Sequence, residues 1–212
     1  MLLPTFHRPS VPSIREFLDR QARLPPTYAV AGTPAGEPPP GYRANRARIR
    51  LGRGAAAFAA GKSALRSWEQ FPGGWVELYF PDVPIEPGRV VVVLACALRV
   101  WWLNACRIVS VVDEDGPGAC FGFAYGTLPG HAASGEERFL IEWDPSDDSV
   151  WYEVSSFSRP HGWLARLGRP IARAFQARFA TESAEAMRRA VERRRGSGSS
   201  PDGGDRRVGM GG

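Results

Sequence analysis

Residues 119–143 read ACFGFAYGTLPGHAASGEERFLIEW, and this stretch decides the fold. Phe121, Phe123, Tyr125 and Thr127 alternate with Gly122, Ala124 and Gly126, which is the period of a strand and not of a helix. Pro129-Gly130 supplies turn chemistry, and a second alternating run follows from Glu136 to Trp143. In that run Glu137 shares a face with Phe139, Ile141 and Trp143, while Glu136, Arg138 and Glu142 take the other. Two such runs joined by a short connection predict an antiparallel hairpin.

Working outward, the same pattern repeats. Candidate strands are Trp75–Phe80, Arg89–Ala97, Cys106–Val112, Ala119–Thr127, Glu136–Trp143 and Val150–Phe157, separated by Pro87-Gly88, Asp115-Gly116-Pro117-Gly118 and Pro145-Ser146-Asp147. Consecutive strands with short connections argue for a meander over a βαβ fold. Upstream, Tyr42–Leu51 reads as a first strand and Ala55–Gln70 as a helix with Phe58, Leu65 and Trp68 on one face. Downstream, Trp163–Arg194 reads as a long helix whose stripe is Leu164, Leu167, Ile171, Phe175 and Phe179; Pro170 is placed to kink or break it. The fold class is therefore α+β, a helix-grip-like curved antiparallel sheet of about six to seven strands wrapped around a long C-terminal helix.

The organisation expected is a single domain over residues 42–195. Residues 1–41 precede it as a short helix, Ser13–Gln21 with a Ser13/Glu16 capping box, and a Pro-rich arm over the surface. Residues 196–212, rich in Gly, Ser and Arg, follow as a disordered tail.

Charge needs locating before it is interpreted. The net charge is +5, but from Arg159 onward there are 12 Arg against 5 acids, so the body is close to neutral. Nucleic acid is thus an unlikely partner, and basicity points at most to an interaction role for the last helix and tail. The three cysteines, Cys96, Cys106 and Cys120, have no C-x-x-C spacing, and the three histidines, His7, His131 and His161, lie far apart. Neither a disulfide framework nor a metal site is expected, and a reducing cytoplasm fits best. No transmembrane segment is expected: the most apolar run, Val90–Leu103, carries Arg99 and is too short to span. No G-x-S-x-G or complete phosphate loop occurs, and Gly61-Lys62-Ser63 falls inside a helix, so no cofactor is expected.

The run Phe121-Gly-Phe-Ala-Tyr-Gly-Thr-Leu-Pro-Gly-His131, followed by Gly135-Glu-Glu-Arg-Phe139, resembles the domain-of-unknown-function 1990 family, also called UPF0548. Leu51-Gly-Arg-Gly54 with Phe58 and Trp68, and Ser156-Phe-Ser-Arg-Pro160, support it over roughly Tyr42 to Arg189. The resemblance implies the helix-grip superfamily that includes the birch-pollen allergen and START domains, and hence a ligand cavity. It supplies no reaction.

The hairpin brings Tyr125 and Thr127 towards Glu137, with His131 in the loop. An imidazole, a carboxylate and a phenol together are capable of acid/base work. The candidate catalytic set is Glu137, His131 and Tyr125; the candidate ligand-binding set is Phe123, Tyr125, Thr127, His131, Glu137, Arg138 and Arg159. The plainer reading is that an Arg neutralises Glu137 and that His131 is a solvated loop residue. Likewise Ser158 is placed to cap the last helix, or Arg159 to hold a carboxylate or phosphate. Three functions stay open. The first is a binding module for an apolar or amphipathic small molecule. The second is a cyclase, isomerase or hydrolase using the same cavity. The third is an interaction protein acting through the basic C-terminal helix and tail.

Overall fold

The strand order β1-β7-β6-β5-β4-β3-β2 places the first strand beside the last, and every neighbouring pair is antiparallel. The computed structural model describes residues 5–29, 38–161 and 169–197, the side chains of 169–172 and 197 excepted. The elements are α1 (Val11–Gln21), β1 (Arg43–Arg53), α2 (Gly54–Arg66), β2 (Val76–Tyr79), β3 (Val90–Ala97), β4 (Val100–Glu114), β5 (Cys120–Thr127), β6 (Ala133–Asp144), β7 (Ser149–Pro160) and α3 (Arg169–Ser197). The curled seven-stranded sheet closes over the C-terminal helix, the helix-grip arrangement expected from the alternation.

The concave face carries the apolar half of each alternation. Ala47, Ile49 and Leu51 of β1, Val150, Tyr152 and Val154 of β7, Phe139 and Ile141 of β6, and Phe121, Phe123 and Tyr125 of β5 build one core with α2 and α3. Phe123 packs between Trp68, met edge-on, and Phe139, tilted against it, with ring centroids at 5.0 and 5.1 Å. Each fully buried aromatic of this kind contributes on the order of 2–3 kcal/mol. Gly61 of α2 is small for a reason: a Cβ there would meet Leu51 Cδ1 at 3.1 Å and Ile141 Cγ2 at 3.3 Å. Helix α3 is fastened by Tyr152 Oη and Ser183 Oγ, 2.8 Å apart and buried, and by Gln176 Nε2 donating to Ser158 Oγ at 2.8 Å.

The opposite face is polar on β1 and β7, where Arg46 and Arg48 reach Glu153. Near β3 and β4 it is covered by α1, whose Ile14 and Phe17 pack with Val92, Ala105 and Leu128. A bulge at Val109 shifts the pairing of β4 with β5. It turns Asp113 towards α2, where Lys62 and Arg66 bind it.

Several boundaries differ from the expectations. The cap of α1 is Ser10, whose side chain accepts from the Ser13 N–H, one turn before the expected capping box. Helix α2 stops at Arg66, and Trp68 takes a positive φ of 57° to leave it. β4 starts at Val100, because Leu98 and Arg99 (φ 52° and 64°) make a tight hairpin turn. Trp101 and Trp102 are therefore strand residues. Ser158 is not a helix cap: β7 runs on to Pro160 because β6 offers partners as far back as Ala133. Pro170 lies in the first turn of α3, where its missing N–H costs nothing. Leu164 and Leu167 of the expected stripe, and the tail beyond residue 197, lie outside the described residues, as does the side chain of Ile171. No helix among the described residues is long and apolar enough to cross a membrane.

Candidate functional site

Between the sheet and α3 the core is not filled. A cavity of about 450 Å³ lies there. Phe71, Trp75, Val76, Val93, Trp102, Phe175 and Phe179 give it apolar walls, and Tyr125, Thr127, His131, Glu137 and Ser156 place polar groups on it. Exposure grades along it. Tyr125, Thr127, Val76 and Asn104 are buried at its floor, whereas Gly41, Arg43, Leu98, Arg159 and Arg173 are exposed at its mouth. That size and lining suit a small organic molecule.

Glu137 stands directly opposite Tyr125 in the β5–β6 ladder, and the Tyr125 phenol donates to Glu137 Oε2 at 2.6 Å. Among the described residues no Arg or Lys pairs with Glu137. Burial therefore dominates: it raises the Glu137 carboxyl to about 7, against the smaller lowering effect of the Tyr125 hydrogen bond. Burial and the neighbouring carboxylate push the Tyr125 phenol well above its ordinary value, so it stays a donor. Glu137 is walled in by protein yet keeps a face on the lumen.

His131 is held by a loop in which each N–H finds a partner. Gly130 N–H donates to Gln21 Oε1 at 2.8 Å, His131 N–H to Leu128 O at 2.8 Å, and Ala132 N–H to Asn104 Oδ1 at 3.3 Å. Ala133 N–H donates to His131 Nδ1 at 2.8 Å, which leaves the ring proton on Nε2. Burial lowers His131 to about 4, so it is a neutral imidazole near pH 7. The N-terminal helix has a part in this. Phe17 and Gln21 of α1 pack so closely on Gly130 that a Cβ there would meet Phe17 Cζ at 2.4 Å.

The arm adds a strap behind the floor. Thr27 N–H donates to Thr127 O at 3.0 Å, and Tyr28 Oη donates to Glu136 Oε2 at 2.8 Å. The Tyr28 ring lies where a Gly126 side chain would be. Thr127 Oγ1 accepts from Gly135 N–H at 3.0 Å.

Of the residues singled out from the sequence, Tyr125, Thr127, His131, Glu137 and Arg159 line the cavity. Phe123 does not; it is 2% exposed within the aromatic core. Arg138 does not either, since it stands opposite Ala124 and Ser155 on the outer face of the sheet. Residues that sequence reasoning missed include Asn104, Arg43 and Arg173. Asn104 was findable: reading β4 from Val100 puts Val100, Trp102 and Asn104 on one face. Arg43 and Arg173 carry no sequence signal of their own.

The C-terminal helix spends much of its charge internally. Arg188 pairs with Glu185 and Glu192, Arg193 and Arg194 with Glu69, and Arg178 with Glu182. Among the described residues no group of three His, Cys, Asp or Glu is placed to hold a metal ion.

A family model described as "Domain of unknown function (DUF1990)" matches residues 27–186. A UPF0548 protein of Dictyostelium discoideum is 39% identical over 159 residues, covering 71% of this chain and 73% of its own. A UPF0548 protein of Deinococcus radiodurans is 35% identical over 197 residues, covering 87% and 97%. Among solved structures, Ara h 8.0201 aligns with a TM-score of 0.44 at 13% identity, over 72% of this chain and 99% of that one. Human STARD10 aligns with a TM-score of 0.45 at 11% identity, over 88% and 81%.

Proposed function

We infer that this chain, which belongs to the DUF1990 family, binds an apolar or amphipathic small molecule in the cavity between its sheet and its C-terminal helix. The observation that carries this is the cavity itself: about 450 Å³ of largely apolar space with a few polar groups gathered on its wall. An unfilled volume of this kind costs packing energy. A ligand that occupies it restores those contacts. In this reading Tyr125, Thr127, His131 and Glu137 supply hydrogen bonds that orient the ligand within the cavity, with His131 offering its Nε2–H and Glu137 acting as donor or acceptor according to pH. A reducing, cytoplasmic setting belongs to the same reading, because Cys96, Cys106 and Cys120 are all free thiols.

A second reading is favoured by one observation, the elevation of Glu137 to about 7 on the lumen. A carboxylate poised near neutrality is suited to take a proton from a substrate and return it, as a cyclase, isomerase or hydrolase requires. Tyr125 then orients Glu137 and His131 donates to developing negative charge.

Native mass spectrometry of the full chain purified from its own host tests the binding reading. A mass excess that is released on denaturation supports it, and identification of the released molecule gives the ligand class. Glu137→Gln separates the two readings: it spares affinity in both, and it abolishes turnover only if the site is catalytic.

A further inference from the structure

We propose that the cavity's ligand is an amphipathic anion, its acid group held at the mouth by Arg43 and Arg173 and its apolar body directed inward. This deepens the binding reading and rests on it. The two arginines come from β1 and α3, and both flank Ser158. Arg43 is the partner of Ser158 in the β1–β7 ladder, whereas the side chain of Arg159, next in the chain, takes the other face and lies over the Tyr42 ring, 4.7 Å from its centroid. Gln176 of α3 donates to Ser158 Oγ, and Arg173 lies one turn before Gln176 on the same helix face. Both arginines are exposed and line the cavity.

What sets them apart is position as well as charge: other arginines without an acidic partner among the described residues, such as Arg50 and Arg138, do not line the cavity. Arg46, Arg48, Arg66, Arg178, Arg188, Arg193 and Arg194 each pair with a carboxylate. Among the described residues Arg43 and Arg173 make no ion pair. Glu137 on the inward wall pairs with neither of them and takes the Tyr125 phenol instead. The other side of the mouth has the opposite chemistry. Ala97, Leu98, Val100 and Trp102 of the β3–β4 hairpin line it, and Leu98 is 72% exposed. A basic lip facing an apolar lip, above apolar walls, matches a molecule with one anionic end. Guanidinium groups are suited to a carboxylate or phosphate alike.

The test titrates decanoate, decanol and inorganic phosphate into the full chain at about pH 8, read by the fluorescence of Trp75 and Trp102 on the wall. Decanoate is expected to bind at least about tenfold more tightly than decanol. That gap should close in high salt and in the double variant Arg43→Gln/Arg173→Gln, while decanol affinity is unchanged. The lysine pair, Arg43→Lys/Arg173→Lys, should keep part of the gap and controls for folding. Equal affinity for decanoate and decanol, or a gap that survives the glutamine pair, overturns the anion assignment and leaves the cavity reading standing. Phosphate binding as tightly as decanoate overturns the amphiphile assignment in favour of a free anion. If neither decanoate nor decanol binds, both the assignment and the cavity reading fail.

Discussion

The Tyr125 phenol donates a 2.6 Å hydrogen bond to Glu137 Oε2 from the position directly opposite on the neighbouring strand. Glu137 and His131 line one lumen, and burial moves their proton affinities in opposite directions. The consequences are measurable without knowing the ligand.

Glu137 binds its proton more tightly in the folded state. Its contribution to stability is present below the ordinary carboxyl value and is lost as pH rises from 4.5 to about 7. His131 binds its proton less tightly when folded, so its contribution is present above 6.5 and is lost as pH falls towards 4. Each amounts to at most about 3 kcal/mol, reduced by any water in the lumen. The two slopes oppose each other and flatten the wild-type profile between pH 4.5 and 6.5. Glu137→Gln should unmask a stability that rises with pH over that interval, and it should exceed wild type at pH 8. Urea midpoints at several pH values read this directly, and parallel profiles for the two proteins would sink it.

Tyr125→Phe removes a hydrogen bond that favours the ionised form of Glu137. The Glu137 titration, followed by carbon NMR of its carboxyl, should move above its wild-type midpoint. Stability should drop by about 1 kcal/mol where Glu137 is ionised. An unmoved or lowered midpoint would show that the phenol does not bond to the carboxylate in solution.

Gly126 has no side chain because Tyr28 occupies that space: an added Cβ would lie 2.0 Å from Tyr28 Oη. Gly126→Ala should destabilise by about 1–3 kcal/mol. The same change in a Tyr28→Ala background should cost much less, since the two sites share one contact. Additive effects in a double-mutant cycle would mean that the arm does not lie on β5.

Gln70 is fully buried, and neither atom of its amide has a hydrogen-bond partner among the described residues. An unsatisfied buried amide costs roughly 1–3 kcal/mol. Gln70→Met, close in volume and apolar, should raise the melting temperature. A lowered melting temperature would show that the amide is satisfied in solution, by ordered water for example.

The sheet was legible in the chain because alternation and turn residues agree: Asp115-Gly116-Pro117-Gly118 and Pro145-Ser146-Asp147 each fall between strands that pair. So was the approach of Tyr125 to Glu137, since a hairpin across Pro129 to Gly135 folds one inward face beside the other; the exact pairing was not. The β3–β4 turn was not, because Leu98 and Arg99 adopt positive φ without the Gly or Asn that usually marks it. That hid six residues of β4, and Asn104 with them. The roles of Arg43 and Arg173 were hidden for a different reason. Nothing local distinguishes them from their paired neighbours, and only the packing of α3 against β1 and β7 brings them to one mouth.

The central claim is that the space between sheet and helix is a binding cavity, and an uncharged fluorescent probe such as N-phenylnaphthylamine tests it most directly. Ala95 lines the lumen opposite Val76 and Trp102, so Ala95→Trp should obstruct it without disturbing the ladder. The account predicts saturable probe binding to the wild-type chain, displaced by decanoate and lost in Ala95→Trp at an unchanged melting temperature. No saturable binding, or binding undiminished in Ala95→Trp, would contradict it.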